Sequence, residues 1–136
     1  MTEITGHCLC GQLSYKATSD PAMTIVCHCD DCQRSSGSAF SVNLAFPKDA
    51  VEITGEAKTF NTTGSESGAE RDRMFCPECG SQTFTHLKDM PDLMIVKAGT
   101  VDDKSIVQPQ MEIWRDSGQP WPDAGERNVF PTGMRG

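Results

Sequence analysis

The chain has 136 residues, 37% hydrophobic and only 7% aromatic, with a formal charge of −7. That length suits one turn-rich domain with a modest core, and the acidic balance argues against nucleic acid, whose binding needs a basic face. No apolar run approaches the ~18 residues of a membrane span, and MTEITGHC lacks the basic start and apolar stretch of a secretory signal, so a soluble, cytoplasmic protein is expected.

In chain order, GHCLCG brings Cys8 and Cys10, and GQLSYKA then places Leu13, Tyr15 and Ala17 on one face. That period of two is the mark of a half-buried strand. VCHCDDCQRSS packs Cys27, His28, Cys29 and Cys32 into six residues. Its DDCQRSSG part reads as one short helical turn, with Asp30 as cap and Gly37 as stop. AFSVNLAF puts Phe40, Val42, Leu44 and Phe46 on one face. VEITG, AKTFN, SQTFTHL, LMIVKAG and QMEIW are further strands, separated by Gly, Pro, Asn and Asp. The polar stretch TTGSESGAERD, residues 62–72, reads as a surface loop or hairpin tip without a functional role. No segment holds a helical period over three turns. The expectation is a single all-β domain over 1–136, with about eight to ten short strands and residues 123–136 as a loosely ordered tail.

The seven cysteines fall into three groups: Cys8 and Cys10, then Cys27, Cys29 and Cys32, then Cys76 and Cys79 in FCPECGSQ. Without a secretory signal, clustered cysteines are more often ligands or reactive groups than disulfides. C-P-x-C-G is a zinc knuckle: two thiolates at this spacing reach one tetrahedral ion, and the strand-like SQTFT that follows does not suit a redox helix. A closed site needs four ligands. The partner is HCLCG or the central cluster; HCLCG, with two cysteines before a strand and a glycine after them, is the better match, making Cys8, Cys10, Cys76 and Cys79 a structural set. That leaves Cys27, Cys29 and Cys32, the number that keeps one zinc position open for a ligand. His28 or Asp31 as a fourth ligand remains an alternative, as does a metal-free group whose Cys29 and Cys32 oxidise. Three thiolates make a weak Lewis acid that suits an incoming thiol better than water. His7 and His86 are assigned to surface or packing. With both zinc sites filled the net charge would be about −10.

GHCLCG, CHCDDCQRSSGSAF, FCPECGSQ and EIWRDSGQPW, in this order, resemble the glutathione-dependent formaldehyde-activating enzymes, a family that includes the centromere protein V domain. The resemblance runs from about residue 3 to 122. It implies the β-tent fold, of several coiled antiparallel sheets. It implies two zinc ions per chain, a structural one on Cys8, Cys10, Cys76 and Cys79 and a catalytic one on Cys27, Cys29 and Cys32. The implied activity is a carbon–sulfur lyase joining a thiol such as glutathione to a small aldehyde, as in S-hydroxymethylglutathione formation. The alternatives are a zinc-stabilised binding module without chemistry and a thiol or aldehyde carrier. Arg34, Ser36 and Gly37 are the expected substrate contacts, through a guanidinium and backbone N–H groups. An anionic thiol also requires a local positive patch from Arg34, Lys48, Arg71 or Arg73. Trp114 and Trp121 match C-terminal aromatic positions of the family and are assigned to core packing, with pocket lining second.

Overall fold

The structure is a computed structural model that describes residues 2–122 and 127–134. Part of the expected tail, 123–126 and 135–136, lies outside the described residues. Ten strands run in order: β1 (Ile4–His7), β2 (Ser14–Ala17), β3 (Met23–Cys27), β4 (Ser41–Pro47), β5 (Val51–Thr54), β6 (Lys58–Thr63), β7 (Glu70–Phe75), β8 (Gln82–Leu87), β9 (Leu93–Lys97) and β10 (Met111–Ile113). Among the described residues there is one α-helix, α1 (Asp30–Ser36), and four single turns of 3-10 helix. The all-β expectation holds. Seven of the strands fall on the expected segments, while β1, β3 and β7 were not foreseen.

Two sheets make the fold. One has three strands in the order β1-β2-β5, the other seven in the order β10-β3-β4-β9-β8-β7-β6. All neighbours are antiparallel except β10, which runs parallel to β3. Because side chains alternate across a strand, the register sorts the large sheet into two faces. Leu44 pairs with Val96, which pairs with Phe84, and Phe46 pairs with Met94. These residues face Tyr15 and Ala17 of β2 and Leu13 just before it, and together they form the main core. Tyr15 meets Phe84 edge-on with ring centroids 5.4 Å apart. Leu13, Leu44, Phe46, Phe84 and Val96 are completely buried, each worth about 1.5–3 kcal/mol over exposure.

The opposite face of the large sheet positions the site. Ile25 pairs with Asn43 and Asn43 with Lys97; Ile95 pairs with Thr85 and Thr85 with Arg73. At one end of this face Ala45, Leu87 and Ile95 form a small apolar cluster. Toward the end of β3 the face turns polar and becomes the wall of a cavity. Phe40 departs from its expected place: β4 begins only at Ser41, and the Phe40 ring instead lies edge-on against His28 with centroids 5.4 Å apart.

Candidate functional site

The first cysteine group joins the two sheets. Cys8 and Cys10 sit in the turn after β1, and Cys76 and Cys79 in the turn after β7. Their four sulfurs lie within 4.8 Å of one another, with Cys8–Cys10 at 3.6 Å and Cys10–Cys76 at 3.7 Å. A zinc tetrahedron with ~2.3 Å bonds has edges of ~3.8 Å, so the sulfurs fit that ion. Both turns depend on a glycine in the left-handed region, Gly11 at φ 86° and Gly80 at φ 77°. Each glycine N–H donates to the carbonyl of the first cysteine of its turn, Gly11 to Cys8 at 3.1 Å and Gly80 to Cys76 at 2.8 Å. Donors also converge on sulfur. The Gln12 amide reaches Cys76 Sγ at 3.2 Å and the Leu13 N–H reaches Cys8 Sγ at 3.3 Å. The Ser81 hydroxyl, 3.2 Å from Cys79 Sγ, is the leading cause that brings the Cys79 thiol down to about 5. A group of sulfurs met by donors is ready to hold a cation as thiolates.

The second group is built on the start of α1. Cys27 ends β3, Cys29 caps the helix and Cys32 lies in its first turn, with all three sulfurs within 4.8 Å of one another. The cap differs from expectation. Cys29 rather than Asp30 fills it, its sulfur accepting the Cys32 N–H at 3.3 Å, while Gly37 ends the helix in the left-handed region at φ 64°. The alternative fourth ligands turn away from the sulfurs. His28 is buried, with Nε2 2.8 Å from Glu112 Oε1, and Asp31 accepts from Ser65 N–H at 2.8 Å and Ser65 Oγ at 2.9 Å.

The three thiols compete for one negative charge. Hydrogen bonds from the Cys27 and Cys29 thiols drive the Cys32 thiol far down. The Cys27 thiol is driven far up by its neighbours Cys29 and Cys32 and by burial. Such a coupled set resists losing further protons until a cation enters among the sulfurs. The donor set thus fits a soft divalent metal such as zinc.

These sulfurs open on a cavity of about 150 Å³. Its inner wall carries Asn43, Thr85, Arg73 and Lys97, and its mouth is formed by Trp114 and the 64–67 hairpin tip. Lys97 is buried, its ammonium donating to Asn43 Oδ1 at 2.8 Å. Loss of water around the charge pushes its pKa down to about 8, against the fields of the three cysteines, which favour the charged form. The folded lysine therefore releases its proton near pH 8, while the unfolded chain holds it to about 10.5. Its cost to stability is complete below pH 8 and fades above it. Lys97→Met is accordingly expected to unfold at a higher temperature than the native chain at pH 7. The gap should narrow as the pH rises from about 8 toward 10.5. Thermal unfolding across that range checks this, and a gap independent of pH would refute it.

The expected substrate contacts lie elsewhere. Arg34 and Gly37 line a separate shallow groove with Trp121 on the other side of α1. The Ser36 hydroxyl donates to the Cys32 carbonyl at 2.6 Å. None of these three lines the cavity of the thiols. Of the four candidate cations, Arg71 and Arg73 do line it, and Lys97, which sequence reading missed, joins them. Its signal was a charge closing the apolar run LMIVK.

Two assignments are corrected. Neither tryptophan belongs to the core: Trp114 is 41% and Trp121 51% exposed. Trp114 holds a left-handed backbone at φ 56°, a strained state for a bulky residue that tends to mark ligand sites. The 62–72 segment is a hairpin tip, as expected, but it also closes one side of the cavity. Besides the Ser65–Asp31 bonds, Glu66 accepts from the Asp30 N–H at 3.1 Å and from the Ser117 hydroxyl. Polar composition was read as freedom in solvent, whereas these side chains are bonded to α1 and to the 115–117 turn.

Residues 3–117 match the sequence profile of a family described as glutathione-dependent formaldehyde-activating enzyme. A Penicillium rubens protein named as a candidate enzyme of that kind is 31% identical over 107 residues, 76% of this chain and 55% of its own length. A Talaromyces marneffei protein with the same name is 30% identical over 107 residues, 76% of this chain and 56% of its own. The chain thus spans about half the length of these fungal relatives. A crystal structure of a Rhodobacter sphaeroides protein superposes with a TM-score of 0.59, covering 79% of this chain and 98% of that one. At 16% identity this likeness speaks for the fold alone.

Proposed function

The chain belongs to the glutathione-dependent formaldehyde-activating enzyme family, and from that premise we propose that it is a carbon–sulfur lyase joining a thiol to a small aldehyde. The observation that carries this reading is the second cysteine group: three convergent sulfurs facing a cavity, with no fourth protein ligand beside them among the described residues. A pure scaffold needs the four-cysteine group and has no use for three more thiols at a cavity floor.

In this reading Cys8, Cys10, Cys76 and Cys79 hold a structural zinc, and Cys27, Cys29 and Cys32 hold a catalytic one. Zinc bound by three thiolates supplies a soft position that favours sulfur over water. The chain's own residues do the rest. The cavity seats the thiol and the carbonyl side by side, replacing a bimolecular encounter with a positioned one. The sulfur bonds to the carbonyl carbon as the C=O π bond breaks, and the proton leaving sulfur ends on the new hydroxyl oxygen. Lys97 Nζ is the proton carrier: burial lowers its pKa and so eases release of its proton, and Asn43 fixes its position. Trp114 and the hairpin tip limit water at the mouth.

No helix among the described residues is long and apolar enough to cross a membrane, and seven free cysteines suit a reducing cytoplasm. Exchange NMR of glutathione with formaldehyde tests the activity. The zinc-loaded chain is expected to speed interconversion with the hemithioacetal, and Cys32→Ala to abolish the effect. Binding without acceleration would make the protein a carrier, and neither binding nor acceleration would refute the reading for this pair of substrates.

A further inference from the structure

Thiol addition to formaldehyde needs no guanidinium, yet Arg73 stands in the cavity wall at 9% exposure. An arginine has five N–H donors and never loses its charge. Among the described residues, the one hydrogen bond the Arg73 side chain makes is from Nη1 to Ser35 Oγ at 3.5 Å. The neighbouring carboxylates are already engaged. Arg71 holds Asp89 at 2.6 Å and Lys88 holds Asp72 at 2.8 Å. Asp31 and Glu66, at the cavity rim, accept bonds from Ser65, Asp30 and Ser117.

Two further observations mark this wall as suited to an anion. Thr85, the register partner of Arg73, also lines the cavity, and its buried Oγ1 has no partner. Lys97 adds a second cation whose charge Arg73 opposes. Three thiolates around a divalent ion carry about −1, which offsets one of the two buried cations, and the rim carboxylates Asp31 and Glu66 spend their oxygens on Ser65, Asp30 and Ser117 rather than on an ion pair with the other. Buried charges are normally paired.

Resting on the thiol reading of the cysteine cavity, we propose that Arg73 and Thr85, with Lys97 beside them, form a carboxylate subsite. One of the two substrates is then a small acid whose carboxylate sits one carbon from the thiol or the carbonyl. Size supports this. The cavity is small, about 150 Å³, and mercaptoacetate and glyoxylate are acids on that scale. Whole glutathione, a tripeptide, is much larger than either acid.

Calorimetry on the full, zinc-loaded chain tests the proposal and separates the two sources of the carboxylate. One arm compares mercaptoacetate with 2-mercaptoethanol; the other compares glyoxylate with formaldehyde in the presence of 2-mercaptoethanol. In at least one arm the acid is expected to bind at least about 10-fold tighter than its uncharged counterpart, as a charge-assisted contact implies. Arg73→Gln should erase the preference, with zinc content and 2-mercaptoethanol affinity unchanged, and Arg73→Lys should keep part of it. Thr85→Val, which keeps volume and charge, should weaken it several-fold and serves if Arg73→Gln fails to fold. Equal binding of acid and uncharged compound in both arms overturns the subsite, as does a preference that survives both Arg73→Gln and Thr85→Val. The thiol reading fails separately: if no thiol binds, acetate alone should still raise the unfolding temperature of the native chain but not of Arg73→Gln. Acetate with no such effect overturns the subsite as well.

Discussion

Cys76→Ser is expected to cost the chain its cooperative fold and the zinc of the four-cysteine group. Cys76 and Cys8 are buried at 0% and 1% exposure, so a vacated sulfur position cannot be refilled from solvent. The group fastens the β1–β2 turn of the small sheet to the β7–β8 turn of the large one, and the core between the sheets is closed by that clasp. Structural zinc sites bind with apparent free energies of about 10–16 kcal/mol, as large as the whole stability of a typical domain, about 5–15 kcal/mol. Far-UV circular dichroism on heating, with metal analysis of the purified protein, checks this. A native-like melt with unchanged zinc would remove the structural role. Stripping metal with a strong chelator should reproduce the loss.

The second large effect separates the two sites. Cys29→Ala should lower the zinc content by one ion per chain while the fold persists, and reduce thiol–aldehyde turnover by more than the ~100-fold typical of outer-shell changes. Cys29 also caps α1 through its sulfur, so the same change removes a cap worth about 1 kcal/mol. Cys29→Ser distinguishes the two losses, because a serine hydroxyl caps well but is a poor zinc ligand. It should recover the melting temperature and not the activity. Recovery of both would show that Cys29 acts only through the helix, and the three-thiolate site would then lose its support.

Much of the fold was legible because its signals are local. The alternation in GQLSYKA placed Leu13, Tyr15 and Ala17 on the buried face they occupy. The three unforeseen strands lack that signal for different reasons. β1 carries Gly6 in a polar stretch, β3 runs apolar without alternation, and the ERDRMF of β7 turns Arg71 and Arg73 toward a polar cavity rather than a core. Trp114 misled for a related reason. Bulk and apolarity favour burial, but a strained turn sets its indole at the cavity mouth.

The sequence by itself determined the grouping of seven cysteines into two pairs and a triplet, because ligand spacing within a turn is a property of a few consecutive residues, whereas the tertiary structure joins the two pairs into one set of four. The sequence also determined the β character, because strand periodicity is local. Only the tertiary structure decided which cations face the thiols. Arg34 is two residues from Cys32 in the chain, yet it lies on the far side of a helix. Arg73 and Lys97, tens of residues away, reach the cavity because strand pairing puts β7, β8, β9, β4 and β3 side by side with one set of alternate side chains facing the sulfurs. Register is a long-range choice made by packing, and no short stretch of the chain records it.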